Sequence, residues 1–372
     1  MRYIEQLRLT DFRSYNQLDV GFSGAPVVLF GANGAGKTNL LEAISLLSPG
    51  RGLRRAKGDS IARRVGDKSA PAWGITAQLG GIELPVKLAV GQVPEQPRRK
   101  IVRIDDKTAS GTALAEHMTM MWLTPAQDRL FVGPSSERRK FLDRFTLVHT
   151  PSHGFSSLRY EKLRAERNRL LSEGINDPSW YDAIETDMAA HGAKIATARA
   201  QTVNHLIGEL SDQAPSAFPR AGLALEGAAE NHAQNGWTQD EITEFIAQSL
   251  QEARGLDMRA GRTLNGVHKS DFLVTHLEKN MPASACSTGE QKALLISLIL
   301  AHARAQAARA PILLLDEVAA HLDHHRRAAL MAHLTELGTQ LFMTGTDENL
   351  FEAFNDRAER FSVAAGKLEK IA

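Results

Sequence analysis

The chain has 372 residues, of which 43% are hydrophobic and 23% are charged, a composition ordinary for a globular protein long enough to form two lobes. A formal net charge of +1 excludes the overall charge as an argument for nucleic-acid binding, so any such binding must use local basic patches. The single cysteine, Cys286, excludes an internal disulfide and fits a reducing compartment.

The apolar segments of the chain are short. Residues 1–6 contain charged side chains and no stretch suited to a signal peptide. The longest apolar run, residues 293–301, is interrupted by Ser297 and is far too short to span a bilayer. We therefore expect a cytoplasmic protein with no membrane partner.

The N-terminal part of the chain combines short strands with one helix. Loose alternation at the start predicts an opening strand, and residues 26–30 predict a buried strand that runs into a glycine-rich loop. Residues 39–47 carry apolar side chains at helical spacing, and strand-like alternation returns over residues 73–90.

The middle of the chain is predicted to be helical over residues 156–171, 180–210 and 237–254. A strand-like pattern resumes after Gly266 and includes an apolar run at residues 311–315. The sequence therefore predicts an α/β fold whose head is interrupted by a helical lobe. The predicted head comprises residues 1–130 and 265–372, and the predicted helical insertion lobe comprises residues 131–264.

The glycine-rich loop matches the phosphate-binding pattern G-x-x-x-x-G-K-[ST] at every fixed position. In such a loop the backbone N–H groups and the helix N-terminus hold phosphate oxygens, Lys37 reaches the β- and γ-phosphates, and Thr38 ligates Mg²⁺. The alternative is a chance match in a glycine-bearing turn, which the preceding strand and following helix disfavour. The predicted ATP-binding residues are Gly31, Ala32, Asn33, Gly34, Ala35, Gly36, Lys37 and Thr38.

Two carboxylates, Asp316 and Glu317, follow the apolar run at residues 312–315. A doubly wound sheet places such strand ends beside the phosphate loop. Asp316 is then predicted to help hold Mg²⁺, and Glu317 to orient or deprotonate the attacking water. The alternative is a solvated strand end, which the phosphate loop in the same chain makes less favourable.

The segment Ser287-Thr288-Gly289-Glu290-Gln291 precedes a helical run. It resembles the signature of ABC ATPases, and residues 320–323 resemble their D-loop. The resemblance implies that Ser287 and Gly289 contact the γ-phosphate held by a second copy of the chain, in a head-to-head homodimer. The alternative is an ordinary helix N-cap, since Glu290 lies at capping-box spacing from Ser287.

Further motifs are similar to those of the RecF family, which belongs to the same group as SMC and Rad50 heads. They span essentially the whole chain without a long coiled-coil insertion, which argues against Rad50 and full SMC proteins. The matching segments are residues 9–15, 31–44, 138–143, 266–271 and 344–347. In the last of these, Thr344 stands where a transporter ATPase would have its switch histidine.

The resemblance also suggests roles for single residues. It places Gln127 as a Q-loop residue beside the nucleotide, although Pro125-Ala126-Gln127 departs from the Pro-Glu-Asp of many members. Arg13 is a candidate contact to the nucleotide base or phosphate and equally a surface arginine. His268 and Asp271 lie in a segment that departs from the family pattern, so a ligand role and a structural role are equally open.

The resemblance implies an ATP-binding, DNA-dependent ATPase that acts in recombinational DNA repair and replication restart. It further implies an ATP-driven dimer clamp on single-stranded DNA and single-strand/double-strand junctions, RecO and RecR as partners, and RecA loading and the SOS response as outcomes. The alternatives are an ATP-hydrolysing transporter subunit, a P-loop phosphotransferase and an architectural DNA binder that does not hydrolyse ATP.

Three basic clusters are candidates for sequence-independent contact with DNA phosphates. Each is equally well explained as a solvated charged face. The clusters are Arg51, Arg54, Arg55 and Lys57; Arg98, Arg99 and Lys100; and Arg138, Arg139 and Lys140.

Overall fold

A computed structural model describes residues 2–56, 60–81, 84–96, 99–211 and 216–371. The strands are β1 (Tyr3–Phe12), β2 (Tyr15–Gly21), β3 (Val27–Phe30), β4 (Arg64–Val65), β5 (Lys68–Ser69), β6 (Trp73–Gly80), β7 (Val86–Gln92), β8 (Ile101–Ile104), β9 (Lys107–Thr108), β10 (Met120–Leu123), β11 (Ala221–Glu226), β12 (Asp271–His276), β13 (Met281–Pro282), β14 (Ile312–Leu315), β15 (Leu341–Gly345), β16 (Glu359–Ala364) and β17 (Lys367–Ile371). The α-helices are α1 (Lys37–Ser45), α2 (Leu114–His117), α3 (Ser135–His149), α4 (His153–Ser172), α5 (Pro178–Ser211), α6 (Ala228–Gln234), α7 (Gln239–Ala260), α8 (Thr288–Ala305) and α9 (His324–Glu336).

The described residues form two compact units. The sheet unit comprises residues 2–128, 216–218 and 295–371, and the helical unit comprises residues 129–211 and 219–294. Among the described residues, no helix combines the length and apolar character that crossing a membrane requires.

The sheet unit is built around a six-stranded sheet in the order β10-β14-β15-β3-β16-β17. The pairs from β10 to β16 are parallel, and β17 closes the edge as an antiparallel strand. All four residues of β14 are buried, as expected for an interior strand of a parallel sheet. Because β10, β14, β15 and β3 are parallel neighbours, their carboxyl ends meet at one edge of the sheet.

A second six-stranded sheet, in the order β2-β1-β6-β7-β8-β9, is antiparallel throughout. β6 and β7 confirm the alternation predicted over residues 73–90, because buried side chains recur at every second position. Apolar side chains of both sheets share one core, with members such as Leu7, Ile75, Leu314 and Phe342. That core supports the strand ends described below.

The helical unit packs α5 against α4 and α7. Its core includes Leu163, Met188, Ala193 and Ile246, one or more from each of these helices. The three predicted helices are confirmed, since residues 156–171 lie in α4, residues 180–210 in α5, and most of residues 237–254 in α7.

The compact units divide the chain differently from the predicted domains. Residues 265–294, predicted to belong to the head, lie in the helical unit. The reason is strand pairing: β12 pairs along its whole length with β11, whose residues fall inside the predicted insertion. Strand-like patterning of residues after Gly266 could not show which strand would be the partner.

Buried charges join the helices of the helical unit. Arg167 of α4 is completely buried and donates to Glu185 of α5 at 2.9 Å and to Thr263 at 2.9 Å, and it also pairs with Asp257 of α7. A buried guanidinium with several acceptors fixes the geometry of its neighbours, because loss of any partner leaves a charge in the protein interior.

His268 has a structural position in the same unit. Its Nδ1 lies 2.9 Å from the Tyr160 hydroxyl, and its Nε2 lies 3.2 Å from the Thr263 carbonyl oxygen, which assigns the proton to Nε2. Burial, reinforced by the positive charge of Arg164, lowers the pKa of His268 to about 4. Asp271 forms an ion pair with Arg138, and no cluster of metal-ligating side chains occurs among the described residues.

The free energy of unfolding should therefore decrease as the pH is lowered through the range in which His268 titrates. The pKa is about 4 in the folded protein and 6.5 ordinarily, so the unfolded chain binds the proton more tightly and stability is lost as pH falls between these values. We expect His268→Gln to remove about 2 kcal/mol of this pH dependence, after discounting for partial exposure. Urea unfolding at about pH 7 and about pH 4.5 measures it. Substitution of the exposed His325 by Gln is the control, and an equal pH dependence in all three proteins would contradict the assignment.

Candidate functional site

The loop between β3 and α1 has a backbone that only glycine accommodates at two positions. Gly31 has a φ of +150°, and a Cβ there would lie 2.3 Å from the carbonyl oxygen of Val363. Gly36 has a φ of +118°, and a Cβ there would lie 2.8 Å from Ser14 Oγ. The glycines at these two positions thus allow close packing against neighbouring atoms as well as left-handed turns.

Lys37 begins α1 and is buried at the mouth of this loop. Its Nζ donates to the carbonyl oxygens of Gly31 at 2.6 Å and Ala32 at 2.9 Å. Burial lowers the pKa of Lys37, while the charges of Glu317 and Asp316 act in the opposite direction. The ammonium group is therefore held between the loop and two carboxylates.

Asp316, at the carboxyl end of β14, is the centre of a hydrogen-bond cluster. Thr38 Oγ1 donates to its Oδ1 at 2.9 Å and its Oδ2 at 3.1 Å, and Thr344 Oγ1 donates to its Oδ1 at 2.7 Å. Burial raises the pKa of Asp316, and the hydrogen bonds from Thr344 and Thr38 oppose the rise. The structure thus brings the two predicted metal ligands, Thr38 and Asp316, into direct contact.

Glu317 follows in a left-handed backbone conformation, with a φ of +54°. Its N–H donates to Thr344 Oγ1 at 2.9 Å, and its side chain is partly exposed. The sequence pointed to Thr344 only as the residue standing where a transporter ATPase has its switch histidine. The threonine after an apolar strand was a signal, but its bonds to both carboxylate-bearing residues could not be foreseen.

Gln127 lies in a short helical turn, Pro125–Gln127, directly after β10. β10 pairs with β14, and the Asp316 N–H donates to the Leu123 carbonyl oxygen at 2.8 Å. The Gln127 side chain turns back to accept from the Thr124 N–H at 2.9 Å. Gln127 therefore follows the strand beside Asp316, and its contact with a nucleotide stays a prediction.

Arg13 forms an ion pair with a buried carboxylate of α1. Its Nε and Nη2 donate to the two oxygens of Glu42 at 2.9 and 2.7 Å, and Glu42 is completely buried. Arg54 also contacts Glu42, at 3.3 Å. Next to Arg13, the Tyr15 hydroxyl donates to the Gly36 carbonyl oxygen at 3.1 Å. These bonds tie the loop after β1 to the phosphate loop.

The signature-like segment lies in the helical unit and begins α8. The Ser287 N–H and hydroxyl both donate to Glu290, at 2.9 and 2.8 Å, so the capping box is formed. A hydrogen bond from Lys279, together with those from Ser287, lowers the pKa of Glu290 to about 2. Ser287 and Gly289 are exposed, and a Cβ at Gly289 would meet nothing within 4 Å. Their predicted contact with a nucleotide stays a prediction.

The cluster suits a hard divalent cation. Mg²⁺ favours oxygen ligands and usually takes only one or two from the protein, with water and substrate phosphates completing its shell. The Thr38 hydroxyl and the Asp316 carboxylate are two such oxygen groups, already within hydrogen-bond distance of one another. These two residues would hold the ion.

The family model described as RecF/RecN/SMC N terminal domain matches residues 3–368. The DNA replication and repair protein RecF of Caulobacter sp. (strain K31) is 47% identical over 368 residues, covering 95% of this chain and 94% of that protein. The RecF protein of Allorhizobium ampelinum is 48% identical over 373 residues, covering 98% of both chains. The chain belongs to the RecF family.

Solved structures agree on the fold. The recombination mediator protein RecF-ATP in the RecFOR pathway aligns with a TM-score of 0.82 at 22% identity, covering 100% of this chain and 99% of that chain. An Smc head domain with an extended coiled coil, from Pyrococcus furiosus, aligns with a TM-score of 0.58 at 16% identity, covering 100% and 96%. The predicted α/β fold, an ABC-type P-loop ATPase head, is confirmed, as is the resemblance to the RecF family.

The ion pair with Glu42 and a contact with the nucleotide predict different behaviour for Arg13→Ala in the protein without nucleotide. Because Arg13 neutralises the buried Glu42, Arg13→Ala should lower the free energy of unfolding by about 2 kcal/mol. The control is Arg8→Ala, since Arg8 and Asp19 form an exposed pair whose loss should cost less than about 1 kcal/mol. Urea unfolding of both variants gives the values. Unchanged stability together with weakened ATP binding would support the nucleotide contact instead.

Proposed function

We propose that this RecF-family chain binds and hydrolyses ATP as a DNA-dependent switch in recombinational DNA repair and replication restart. One observation carries the proposal: four parallel neighbours place the phosphate loop, Thr344, the Asp316–Glu317 pair and Gln127 at one edge of a sheet. The solved structures of RecF-ATP and RecF-ATPrS, which share the fold, support ATP as the nucleotide.

The chain's own groups have distinct proposed roles. Backbone N–H groups of residues 31–36 and the start of α1 bind the phosphates, and Lys37 contributes the positive charge that the transferred phosphoryl group requires. Thr38 and Asp316 hold Mg²⁺, which neutralises phosphate charge when bound. Glu317 orients the attacking water and accepts its proton.

The exposed Ser287 and Gly289 are proposed to complete the site on a second copy of the chain. A hydroxyl and a backbone amide at a helix start are suited to an anion. The Glu290 carboxylate lies beside them, but its charge is already matched by Lys279. ATP binding would thus close a head-to-head dimer, and hydrolysis would open it.

Glu317→Gln tests the clamp. The amide keeps the shape of the carboxylate but cannot accept a proton, so we expect hydrolysis to fall by about a hundredfold or more while ATP binding persists. The variant should therefore remain dimeric in ATP, whereas wild type should dimerise and then return to monomer. Light scattering with ATP and DNA measures the oligomeric state, and Lys37→Ala, which should not dimerise, is the control. Persistent monomers in both wild type and Glu317→Gln would refute the dimer clamp.

The same measurement, extended to Ser287→Ala, separates the alternatives. A transporter subunit would not respond to DNA, and an architectural binder would show the same dimerisation in wild type and Glu317→Gln because neither hydrolyses ATP. A phosphotransferase would leave Ser287 without a role, so Ser287→Ala would not affect its dimerisation.

The basic surface proposed for DNA lies in the sheet unit. Lys100 Nζ donates to the carbonyl oxygens of Gly50 at 3.0 Å and Leu46 at 3.3 Å. This contact brings two predicted basic clusters together, with Arg51 and Arg99 exposed beside it. Lys57 and Arg98, also predicted there, lie outside the described residues.

In the third cluster, Arg138–Lys140, the two arginines are bonded to other residues of the helical unit. Arg138 pairs with Asp271, and Arg139 donates to the Ser135 hydroxyl at 3.0 Å and to the Ser270 carbonyl oxygen. Burial and the neighbouring Arg199 lower the pKa of Arg139, as expected for a partly buried cation near a second arginine. We therefore propose the surface around Arg51 and Arg99, rather than this cluster, as the DNA contact.

Salt dependence tests that surface. Each lost phosphate contact lowers the slope of log affinity against log salt by about 1. With a gapped duplex, we expect Arg51→Gln to lower this slope. The control is Lys140→Gln, at an exposed lysine paired with Glu137, which should leave the slope unchanged. Fluorescence anisotropy at rising salt gives the slopes. An unaltered slope for Arg51→Gln would remove this residue from the interface.

The proposed cellular role follows the family. RecO and RecR are the proposed partners, and single-strand/double-strand junctions are the proposed DNA target. The proposed outcomes are RecA loading and the SOS response, and the proposed location is the cytoplasm. The related structures described as part of the RecFOR pathway support the choice of RecO and RecR.

A further inference from the structure

Thr344 occupies a position between the two halves of the proposed ATPase site. It lies near the carboxyl end of β15, which pairs with β14 on one side and β3 on the other. Its side chain is completely buried. The strands on either side lead into the Asp316–Glu317 pair and the phosphate loop, so Thr344 reaches the site from within the sheet.

A single hydroxyl joins the two acidic residues. Thr344 Oγ1 donates its one hydrogen to Asp316 Oδ1 at 2.7 Å and accepts from the Glu317 N–H at 2.9 Å. Because a hydroxyl has one hydrogen and two lone pairs, both bonds fit together without competition. The rotamer of Asp316 and the backbone of Glu317 are thereby set by the same atom.

The backbone at Glu317 needs such support. A residue other than glycine in the left-handed region is strained and persists only where its surroundings fix it. Glu317 has a φ of +54°, and its N–H bond to Thr344 fixes the peptide that precedes it. The direction in which the Glu317 side chain leaves the backbone therefore depends on Thr344.

We propose that Thr344 is a positioning residue for ATP hydrolysis: through one buried hydroxyl it aligns the Glu317 base with the Asp316 carboxylate. Thr344 acts through these two residues and does not itself touch the nucleotide. This inference rests on the proposed ATPase function.

Two substitutions in the full-length chain separate the hydroxyl from the side-chain shape. Thr344→Val keeps the shape and removes both hydrogen bonds, whereas Thr344→Ser keeps the hydroxyl. We expect kcat for ATP to fall at least about tenfold in Thr344→Val with KM changed less than about threefold, and both values to stay within about threefold of wild type in Thr344→Ser. In a Glu317→Gln background, Thr344→Val should lower the residual rate no further.

A second measurement requires no catalysis. Hydrogen exchange of the peptide containing Glu317, followed by mass spectrometry without nucleotide, should quicken about tenfold or more in Thr344→Val and not in Thr344→Ser. Unchanged exchange in Thr344→Val would overturn the inference. So would unchanged kcat in an active enzyme, or an increase of about tenfold or more in KM for ATP, which would indicate direct contact with ATP.

The two proposals fail in distinguishable ways. If wild type does not hydrolyse ATP with DNA present, the proposed function fails, while exchange at Glu317 still reports whether Thr344 holds that peptide. If Thr344→Val does not fold, the Thr344→Ser and Thr344→Ala pair replaces it: alanine should show the losses and serine should not. Equal behaviour of alanine and serine would overturn the inference.

Discussion

Burial of the Asp316 carboxylate is the constraint on which the candidate nucleotide site depends. An apolar strand ends in a charge that lies inside the protein, and desolvation alone would favour its neutral form. Hydroxyl groups of Thr38 and Thr344 donate to the carboxylate and offset its desolvation, and the ammonium group of Lys37 interacts with it electrostatically. The phosphate loop, β14 and β15 are therefore joined by the requirement to satisfy one carboxylate.

The sequence could predict the parts of this cluster that follow fixed patterns. Two of these residues, Lys37 and Thr38, belong to a loop motif, and two, Asp316 and Glu317, directly follow an apolar strand. Those positions determine where their backbones lie. Which strands are neighbours is a long-range property, however, and the pairing of β15 with both β14 and β3 places Thr344 in the cluster. No local pattern contains that information.

Arg13 and the residues after Gly266 show the same limit. The motif around Arg13 indicated proximity to the nucleotide, and the structure does tie this loop to α1, but through the buried Glu42. Residues 265–294 were predicted to belong to the head because a strand-like pattern resumes there. Their partner strand, β11, comes from within the predicted insertion, so pairing decides where they pack. In both cases residue type and local structure were predictable and the partner was not.

Threonine at position 344 also has a consequence for how the proposed switch would respond to pH. An imidazole changes between donor and acceptor near neutral pH, so a histidine bonded to Asp316 and Glu317 would respond to protonation as well as to ligand. A hydroxyl does not titrate in this range, and its donor bond to Asp316 and acceptor bond from Glu317 keep their directions. The alignment of the two acidic residues then does not depend on a titration of the side chain at position 344.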